Sequence, residues 1–304
     1  MAISVIQIKR WFNMLTGKSV EHVNQDIGKF FKKEEIKGYY NNLTQKVILM
    51  PDLLHSDELP EIKQLDGHVI LFPVAAFQYA LGCYDLFLAT NKKEYLRKFI
   101  QCAEWTLAKQ DVKGRWDNFS HTSPQAPFGA MAQGEAVSVL IRAYVVTKDI
   151  KYLQSAKKGI DFMLTPLQEG GTSIYDGDDL LLAEYTHLPV VLNGWIFAWW
   201  GLYDYVLVTS DKGVYKERLH QSCQSVIKYL PKFKNSFWSK YDLGNMIASP
   251  FYHNLHVAQM QAMYRLTGEH VYDEYAKLWE KQLNNSLNKS LAFVVKAFQK
   301  IIEK

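Results

Sequence analysis

Long apolar segments alternate with amphipathic segments along the chain. Four runs, at residues 72–89, 132–146, 192–208 and 255–266, are apolar almost throughout. A more polar run follows each of them, with apolar residues every three or four positions, as in Tyr95, Phe99 and Cys102. Such spacing places apolar side chains on one helix face, whereas a helix that is apolar all round must be covered on every side. Each pair of runs therefore predicts an αα-hairpin with one buried and one amphipathic helix.

The hairpins recur with a regular period. Each apolar run ends in a Thr that precedes a Tyr by five or six residues, and successive Thr residues are 57, 62 and 58 positions apart. The pairs are Thr90/Tyr95, Thr147/Tyr152, Thr209/Tyr215 and Thr267/Tyr272. This repeat predicts an all-α fold with inner and outer helix layers, as in an (α/α) toroid or incomplete barrel of repeated αα-hairpins. Residues 39–72, which contain QKVILM and HVILF, are expected to add a few short strands.

Three long loops and two basic ends complete the predicted organisation. The loops, at 112–131, 165–191 and 231–252, are where binding chemistry is expected. The formal charge is +4 overall, +3 over residues 1–40, +4 over residues 281–304 and −3 over the part between. We expect a basic amphipathic segment at 1–37, a catalytic domain at 38–285 and a basic amphipathic helix at 286–304. The slightly acidic centre argues against a nucleic-acid partner.

Both ends carry apolar positions that favour amphipathic helices. The C-terminal positions are Leu287, Leu291, Val294, Val295, Phe298, Ile301 and Ile302, and the N-terminal ones are Ile3, Ile6, Trp11, Phe12 and Leu15. Such helices are expected to dock onto the body of the protein or onto a second copy in a homodimer. Contact with an anionic membrane surface or with a polysaccharide-assembly partner is the alternative.

Several classes of protein are disfavoured by the sequence. Its three cysteines are widely spaced, without the CxxC or Cys/His spacing of a disulfide framework or a zinc site. We see neither a clean apolar stretch of about 20 residues nor a secretory signal, so we expect a cytoplasmic protein, with peripheral attachment to the inner membrane surface as the alternative. No phosphate loop or dinucleotide motif is present, and we expect neither a metal nor another cofactor.

Tyr, carboxylate and His side chains concentrate in the loops that precede buried helices. Glu184 and Tyr185 come before the run at 192–208, and Tyr241 and Tyr252 come before the run at 255–266. His253 and His256 follow directly, with no third ligand to suggest a metal. Helices that enter a toroid in the same direction bring their preceding loops to one rim, so we expect these side chains to line one cleft.

Five segments together resemble a known family. They are GYYNNLTQK (38–46), LFPVAAFQYALGCYD (71–85), AMAQGEAVSVLIRAYVVTKDIKYL (130–153), EYTHLPVVLNGWIFAWWGLYDY (184–205) and YHNLHVAQMQ (252–261). In this order they resemble the C-terminal catalytic domain of the D-glucuronyl C5-epimerases, of the heparosan-N-sulfate-glucuronate 5-epimerase type. The resemblance covers about residues 38–280.

The resemblance implies a reaction and a set of site residues. The reaction is proton removal at C5 of a D-glucuronosyl residue in a polysaccharide and return of a proton to the opposite face, which gives L-iduronate. It implies that Tyr252 serves one sugar face, that Glu184 or Tyr185 serves the other, and that Tyr241 orients the substrate. The substrate-binding residues expected beside them are Arg142, Gln133, His253, His256, Tyr40, Lys46, Gln78 and Asn193. The partner implied is a glucuronate-containing, heparosan-like polysaccharide.

Two departures and several alternatives accompany this interpretation. Thr186 stands where the family has Pro after Glu-Tyr, and Gly244 stands where some members have Arg. Either Lys46, Arg142 or Lys240 replaces this Arg at the carboxylate, or the protein accepts a differently decorated polymer. Arg142, inside an apolar helix, is either a substrate contact or half of a structural ion pair. A polysaccharide lyase acting by β-elimination, or a non-catalytic glycan-binding scaffold, would also fit a Tyr-rich cleft.

Overall fold

The chain divides into two compact units. The structure, a computed structural model, describes residues 23–63 and 68–302. The larger unit comprises residues 28–190 and 194–226, and the smaller unit comprises, among the described residues, 23–27, 191–193 and 227–302. The N-terminal amphipathic positions 3–15 lie outside the described residues.

The described part of the chain is mainly helical. Its helices are α1 (Thr44–Ile48), α2 (Pro73–Thr90), α3 (Lys93–Lys109), α4 (Ala130–Thr147), α5 (Ile150–Met163), α6 (Leu192–Thr209), α7 (Val214–Tyr229), α8 (Pro250–Thr267), α9 (His270–Leu283) and α10 (Ser286–Ile302). Short 3₁₀ turns lie at Pro51–His55, Leu167–Glu169 and Leu230–Phe233. The four strands are β1 (Glu61–Lys63), β2 (Val69–Leu71), β3 (Ser173–Asp176) and β4 (Asp179–Leu182).

Buried and amphipathic helices alternate as the sequence predicts. In α4 every residue from 130 to 143 is buried, whereas its successor α5 buries one face through residues such as Tyr152, Ala156 and Ile160. The pairs α2/α3 and α8/α9 repeat this contrast. The predicted fold class, an all-α arrangement of repeated αα-hairpins with few short strands and with the layering of an α/α toroid, is thereby confirmed.

The repeated Thr ends each buried helix. Its hydroxyl donates to the carbonyl four residues earlier, at 2.7–2.8 Å, in Thr90, Thr147, Thr209 and Thr267. The next residue then has a positive φ, between 52° and 80°, in Asn91, Lys148, Ser210 and Gly268. A left-handed residue after a helix redirects the chain and satisfies a terminal carbonyl. The period of about 60 residues thus marks the corner between the two helices of each hairpin.

Two glycines let α4 and α6 approach closely inside the larger unit. A Cβ placed on Gly134 would lie 2.5 Å from the α-carbon of Ala198, and one on Gly201 would lie 2.3 Å from the carbonyl oxygen of Gly134. Neither position has room for a side chain. The close contact therefore sets the position of α4 along α6, and with it the position of the polar side chains of α4.

The strands match the sequence expectation in part. HVILF contributes β2, which pairs with β1 in antiparallel register, Ile62 opposite Ile70. In QKVILM, by contrast, the first four residues lie in the short helix α1. Just before this helix, the side chain of Asn42 accepts hydrogen bonds from the amide and the hydroxyl of Thr44. The expected loop at 165–191 contains the β3–β4 hairpin, whose turn includes Gly177 at φ 57°.

The C-terminal helix α10 belongs to the smaller unit and packs against the loop that precedes α8. Ala292 is fully buried in a cluster with Trp238, Ile247 and Ala248. The opposite side of the helix is exposed, including apolar side chains that the sequence assigns to one face; these are Leu287, Leu291, Val294 and Phe298. The docked face therefore includes Ala292 and one position of the apolar stripe, Val295, while these four positions of the stripe stay exposed.

Candidate functional site

Glu184 lies buried in the larger unit, directly after β4 and Ala183. A Cβ on Gly194, in the first turn of α6, would lie 2.2 Å from Oε2 of Glu184, so the carboxyl group rests against the helix backbone. This oxygen has no hydrogen-bond partner among the described residues. Burial raises the pKa of Glu184 to about 8, although a hydrogen bond with Tyr185 acts in the opposite direction. A carboxyl group with such a pKa can give or take a proton near neutral pH.

A second carboxyl group, that of Glu135 on α4, belongs to the same part of the larger unit. Its Oε1 accepts a hydrogen bond of 2.8 Å from Nε2 of Gln78, while its Oε2 is buried without a partner among the described residues. Burial raises the pKa of Glu135 to about 8; the Gln78 hydrogen bond and the charge of Lys46 lower it, and the charge of Glu184 raises it. The two carboxyl groups therefore influence each other's ionisation.

Lys46 and Gln78 act on Glu135, and their expected contact with a substrate stays a prediction. Lys46 is half-buried on α1, and burial lowers its pKa while the charge of Glu135 acts in the opposite direction. Gln78 is buried on α2 and gives its amide hydrogen to Glu135. We call Lys46, Gln78, Glu135, Glu184 and Tyr185 the carboxyl cluster.

Glu135 is the member of the carboxyl cluster that sequence reasoning missed. It lies two residues after Gln133, which was selected as a polar residue on an apolar helix, and the same signal applies to it. A charged side chain in the middle of a run buried on every side requires a partner or a function. Applied evenly along residues 130–147, that rule finds Glu135 as well as Arg142.

Tyr185 is half-buried beside Glu184 and contacts aromatic neighbours in the larger unit. Its ring centroid lies 4.6 Å from that of Phe119, in the loop before α4, and 6.4 Å from that of His187. Thr186, at the position of the family's Pro, is also half-buried, and His187 is exposed. The tyrosine thus stands between a buried acid and the protein surface.

Arg142 forms a structural ion pair, one of its two expected roles. Its Nη1 lies 2.6 Å from Oδ2 of Asp204, and neither side chain has any exposure. The other guanidinium donors bond to the carbonyl oxygens of Ser138, Lys37 and Gly38. Each nitrogen of the guanidinium thus donates to a protein acceptor, which is the structural ion pair given above as the alternative to a substrate contact.

Tyr40 and Gln133 likewise form hydrogen bonds with protein groups. The Tyr40 hydroxyl donates to Oδ1 of Asp204, in the same buried network as Arg142. The Gln133 amide is clamped to the backbone of Trp116: its Oε1 accepts from the amide at 3.2 Å and its Nε2 donates to the carbonyl at 3.0 Å. Each of these polar groups therefore has a buried partner within the protein, and a substrate contact of either residue stays a prediction.

The smaller unit contains the other two site tyrosines. The ring centroids of Tyr241 and Tyr252 lie 4.9 Å apart, with the rings inclined at 57°. Both are half-buried and pack against the cluster around Trp238. The ammonium group of Lys296, on α10, lies 5.6 Å from the ring centroid of Tyr241. Sequence reasoning did not select Lys296, because nothing local in the sequence places the C-terminal helix beside this loop.

His253 and His256 are buried core histidines. The Nδ1 of His253 accepts from the amide of Ser239 at 3.1 Å, so its Nε2 carries the proton that bonds to the carbonyl of Trp279 at 3.0 Å. The ring stacks on Trp238 at a centroid distance of 3.7 Å. Burial lowers the pKa of His253 to about 3 and that of His256 well below its usual value. Both are neutral at pH 7 and supply no positive charge to a substrate carboxylate.

Asn193 and Gln259 leave buried polar atoms without partners in the smaller unit. Nε2 of Gln259 donates to the backbone carbonyl of Asn193 at 3.1 Å. The side-chain oxygens of both residues, and Nε2 of His256, have no hydrogen-bond partner among the described residues. Buried polar groups are nearly always hydrogen-bonded, so these atoms are available to a bound hydroxyl group or water. Asn193 keeps its place in the candidate site, and Gln259 joins it.

The described residues show neither a cluster of metal ligands nor a membrane-spanning helix. Nowhere in residues 23–63 and 68–302 do three or more His, Cys, Asp or Glu side chains meet in a group able to hold a metal ion. In the same residues, no helix combines the length and the apolar character that crossing a lipid bilayer requires.

These features define an all-α domain of repeated hairpins in which acid–base groups stand beside the first turns of buried helices. Residues 110–281, more than half of the chain, match the family described as D-glucuronyl C5-epimerase C-terminus. The chain belongs to this family, as the resemblance of its sequence segments indicates.

Two relatives extend the match. An uncharacterized protein of Methanocaldococcus jannaschii is 32% identical over 162 residues, which cover 50% of this chain and 51% of that protein. The D-glucuronyl C5-epimerase of Caenorhabditis elegans is 24% identical over 220 residues, which cover 63% of this chain and 36% of that enzyme. The chain thus matches about half or less of the length of these relatives.

Two solved structures are similar to the chain. The cellobiose 2-epimerase from Spirochaeta thermophila has a TM-score of 0.47 at 12% identity, over 68% of this chain and 57% of that one. A family 76 glycoside hydrolase from a bovine Bacteroides thetaiotaomicron strain has a TM-score of 0.44 at 15% identity, over 69% of this chain and 44% of that one.

Proposed function

We propose that this protein is a carbohydrate epimerase that inverts C5 of D-glucuronosyl residues in a heparosan-like polysaccharide to give L-iduronosyl residues. Membership of the C5-epimerase family supports the proposal. The observation that carries it is the buried Glu184, next to Tyr185 and with a pKa of about 8, because it supplies a proton-transfer group at the family's Glu-Tyr position.

The chemistry explains why such a group is needed. Removal of the C5 hydrogen leaves the electron pair of the broken C–H bond conjugated with the sugar carboxylate, as an enolate-like dianion. Proton donors at the carboxylate must stabilise this charge. Inversion also needs a second group on the opposite face to form the new C5–H bond.

The proposal assigns a role to each residue. Tyr252 serves one face of the sugar, Glu184 assisted by Tyr185 serves the other, and Tyr241 orients the substrate. Asn193 and Gln259 bind sugar hydroxyl groups through their unpartnered oxygens. Lys46 provides positive charge for the uronate carboxylate.

The test is hydrogen exchange in heavy water. Incubation with a heparosan-type polymer is expected to place deuterium at C5 and to produce iduronate, without unsaturated ends that absorb ultraviolet light. Such ends would identify a lyase that expels the C4 substituent, and binding without exchange or cleavage would identify a glycan-binding scaffold. Either result contradicts the proposal.

Variants connect the reaction to the site. Glu184→Gln and Tyr252→Phe are each expected to reduce exchange at least about 100-fold, since general acid–base groups typically contribute that much. Tyr264→Phe is the matched control, because Tyr264 lies on the same helix as Tyr252 but twelve residues, or roughly 18 Å, further along. Its exchange rate is expected to equal that of the unchanged protein.

A further inference from the structure

The larger unit contains a cavity that the proposed reaction does not use. Its volume is about 280 Å³. Small-ligand pockets begin at about 300 Å³, so this volume suits one sugar unit rather than a longer segment. The walls come from β2, α2, α3 and the loop between α3 and α4, through Leu71, Pro73, Trp105, Lys109, Trp116, Asp117 and His121.

Two tryptophans supply the aromatic part of the wall. Trp116 is buried, and its indole N–H donates to the carbonyl of Thr106 at 2.7 Å, which holds the ring in place. Trp105 is half-buried against Phe77, at a centroid distance of 6.1 Å, and its indole N–H has no hydrogen-bond partner among the described residues. A half-buried tryptophan presents both an apolar ring and a polar N–H. This combination suits the C–H face and the hydroxyl groups of a sugar ring.

The polar groups of the cavity differ in how they are engaged. Lys109, Asp117 and His121 are exposed. The Asp117 carboxylate is used within its own loop, where it accepts hydrogen bonds from the amide of Ser120 at 3.0 Å and from the hydroxyl of the same residue. The side chains of Lys109 and His121 form neither an ion pair nor a hydrogen bond with any residue that the structure describes. The ammonium group of Lys109 can therefore bind a carboxylate or a sulfate group of a ligand.

Phe119 connects the cavity to the Glu-Tyr segment within the larger unit. Asp117 and His121 each stand two residues from Phe119, so their α-carbons lie at most about 7.6 Å from that of Phe119. The Phe119 ring lies 4.6 Å from that of Tyr185 and 6.1 Å from that of Phe72, whose two neighbours in the chain also line the cavity. A ligand in the cavity is therefore bound close to Tyr185.

We propose that this cavity is a subsite for an acidic sugar unit of the polysaccharide, other than the unit that reacts. Lys109 binds the carboxylate or sulfate group of that unit, and Trp105 packs on its ring. This inference rests on the proposed function, which supplies the polymer. A contact with a sugar unit that does not react is equally strong before and during the reaction, so it lowers KM and leaves kcat unchanged.

The first test measures binding by calorimetry and needs no turnover. Unsulfated heparosan oligosaccharides are titrated into the full-length protein, and Lys109→Met is expected to weaken their binding about 10-fold, because a hydrogen bond from a charged group is lost. Lys113→Met is the matched control, since Lys113 is exposed in the loop after α3 but does not line the cavity. Unchanged affinity in Lys109→Met, or an equal loss in both variants, would overturn the inference.

Two further oligosaccharides of the same length identify the group that Lys109 binds. If the loss of affinity in Lys109→Met is larger for an N-sulfated heparosan oligosaccharide than for the unsulfated one, the group is a sulfate; an equal loss identifies the carboxylate. A neutral oligosaccharide of N-acetylglucosamine is expected to bind Lys109→Met and the unchanged protein alike. If its affinity falls as much as that of the acidic oligosaccharides, the cavity does not recognise an acidic group and the proposal is wrong.

The second test uses the kinetics of C5 exchange. Lys109→Met is expected to raise KM for the polymer about 10-fold and to leave kcat unchanged. A lower kcat with an unchanged KM would place Lys109 in the reaction or in the fold, contrary to the proposal. If binding depends on Lys109 but no polymer exchanges, the proposed function fails and the subsite stands. If the polymer exchanges with the same KM in Lys109→Met, the subsite fails and the proposed function stands.

Discussion

The carboxyl group of Glu184 lies so close to the backbone of Gly194 that a side chain at position 194 would overlap with it. A Cβ there would lie 2.2 Å from Oε2 and 2.6 Å from Cβ of Glu184. The glycine thus determines where the acid of the proposed reaction stands. The contact relates a residue of the Glu-Tyr segment to the first turn of a buried helix ten residues later.

The variant Gly194→Ala tests this contact. We expect the carboxyl group to be displaced and C5 exchange to fall about 100-fold, because a shift of about 1 Å in a catalytic group can cost that much. Gly213→Ala is the control, since the nearest atom to a Cβ there is an Asp211 oxygen at 3.7 Å. Both variants are compared by exchange rate and by thermal melting. A folded Gly194→Ala protein with unchanged exchange would show that the position of Glu184 is not critical.

The ion pair of Arg142 and Asp204 leads to a prediction about stability. Because both groups are completely buried, Arg142→Met leaves a buried carboxylate without its counterion, and the free energy of unfolding is expected to fall by about 3–5 kcal/mol. The double variant Arg142→Met/Asp204→Asn is expected to lose less than the sum of the single variants. Urea denaturation measures all three. A loss below about 1 kcal/mol in Arg142→Met would argue that the arginine serves a ligand instead.

Local rules predict the hairpins and part of the site. The period of Thr residues is visible in the sequence because Thr90 and its three equivalents each end a buried helix by the same hydroxyl-to-carbonyl bond. Glu184 and Tyr185 are found because they stand together in a loop before an apolar run. These features depend on residues that are near one another in the chain.

Features that depend on distant partners could not be predicted in the same way. Asp204 is 62 residues from Arg142, and no local pattern tells a buried structural arginine from one that binds a substrate. Gly244 stands where some family members have Arg, so the sequence indicates that a cation is missing near Tyr241. The structure places the ammonium group of Lys296 beside Tyr241, although the two residues are 55 positions apart in the chain. The sequence places His253 and His256 in the expected substrate-binding set, but it does not show that burial makes both side chains neutral.

Asp85 predicts a particular dependence of stability on pH. Its carboxyl accepts a hydrogen bond of 2.9 Å from the amide of Tyr39, and burial raises its pKa to about 7. The folded protein therefore holds a proton that the unfolded chain has released above about pH 4, and this contribution to stability is lost as the pH rises from 4 to 7.

The variant Asp85→Asn removes this titration and keeps an acceptor for Tyr39. Relative to the unchanged protein, its free energy of unfolding is expected to rise by up to about 1.4 kcal/mol per pH unit between pH 4 and 7 and to change little above pH 7. Urea denaturation at several pH values measures the difference. A difference that is constant from pH 4 to 8 would mean that Asp85 ionises normally in the folded state.

The C-terminal helix is expected to act on the reaction through the loop that carries Tyr241. Nζ of Lys296 donates to the carbonyl of Ile247 at 2.8 Å, and Oε1 of Gln299 accepts from the amide of the same residue at 3.0 Å. We therefore expect Gln299→Leu to speed hydrogen exchange of the Ile247 amide. Lys296→Met is expected to raise KM for the polymer about 10-fold, since a hydrogen bond from a charged group contributes about 1.5–3 kcal/mol. Lys281→Met, at an exposed position on α9, is the control and should leave both quantities unchanged. If Gln299→Leu leaves the protection of the Ile247 amide intact, the loop keeps its shape without α10, and a change in KM in Lys296→Met must then come from the loss of its charge beside Tyr241.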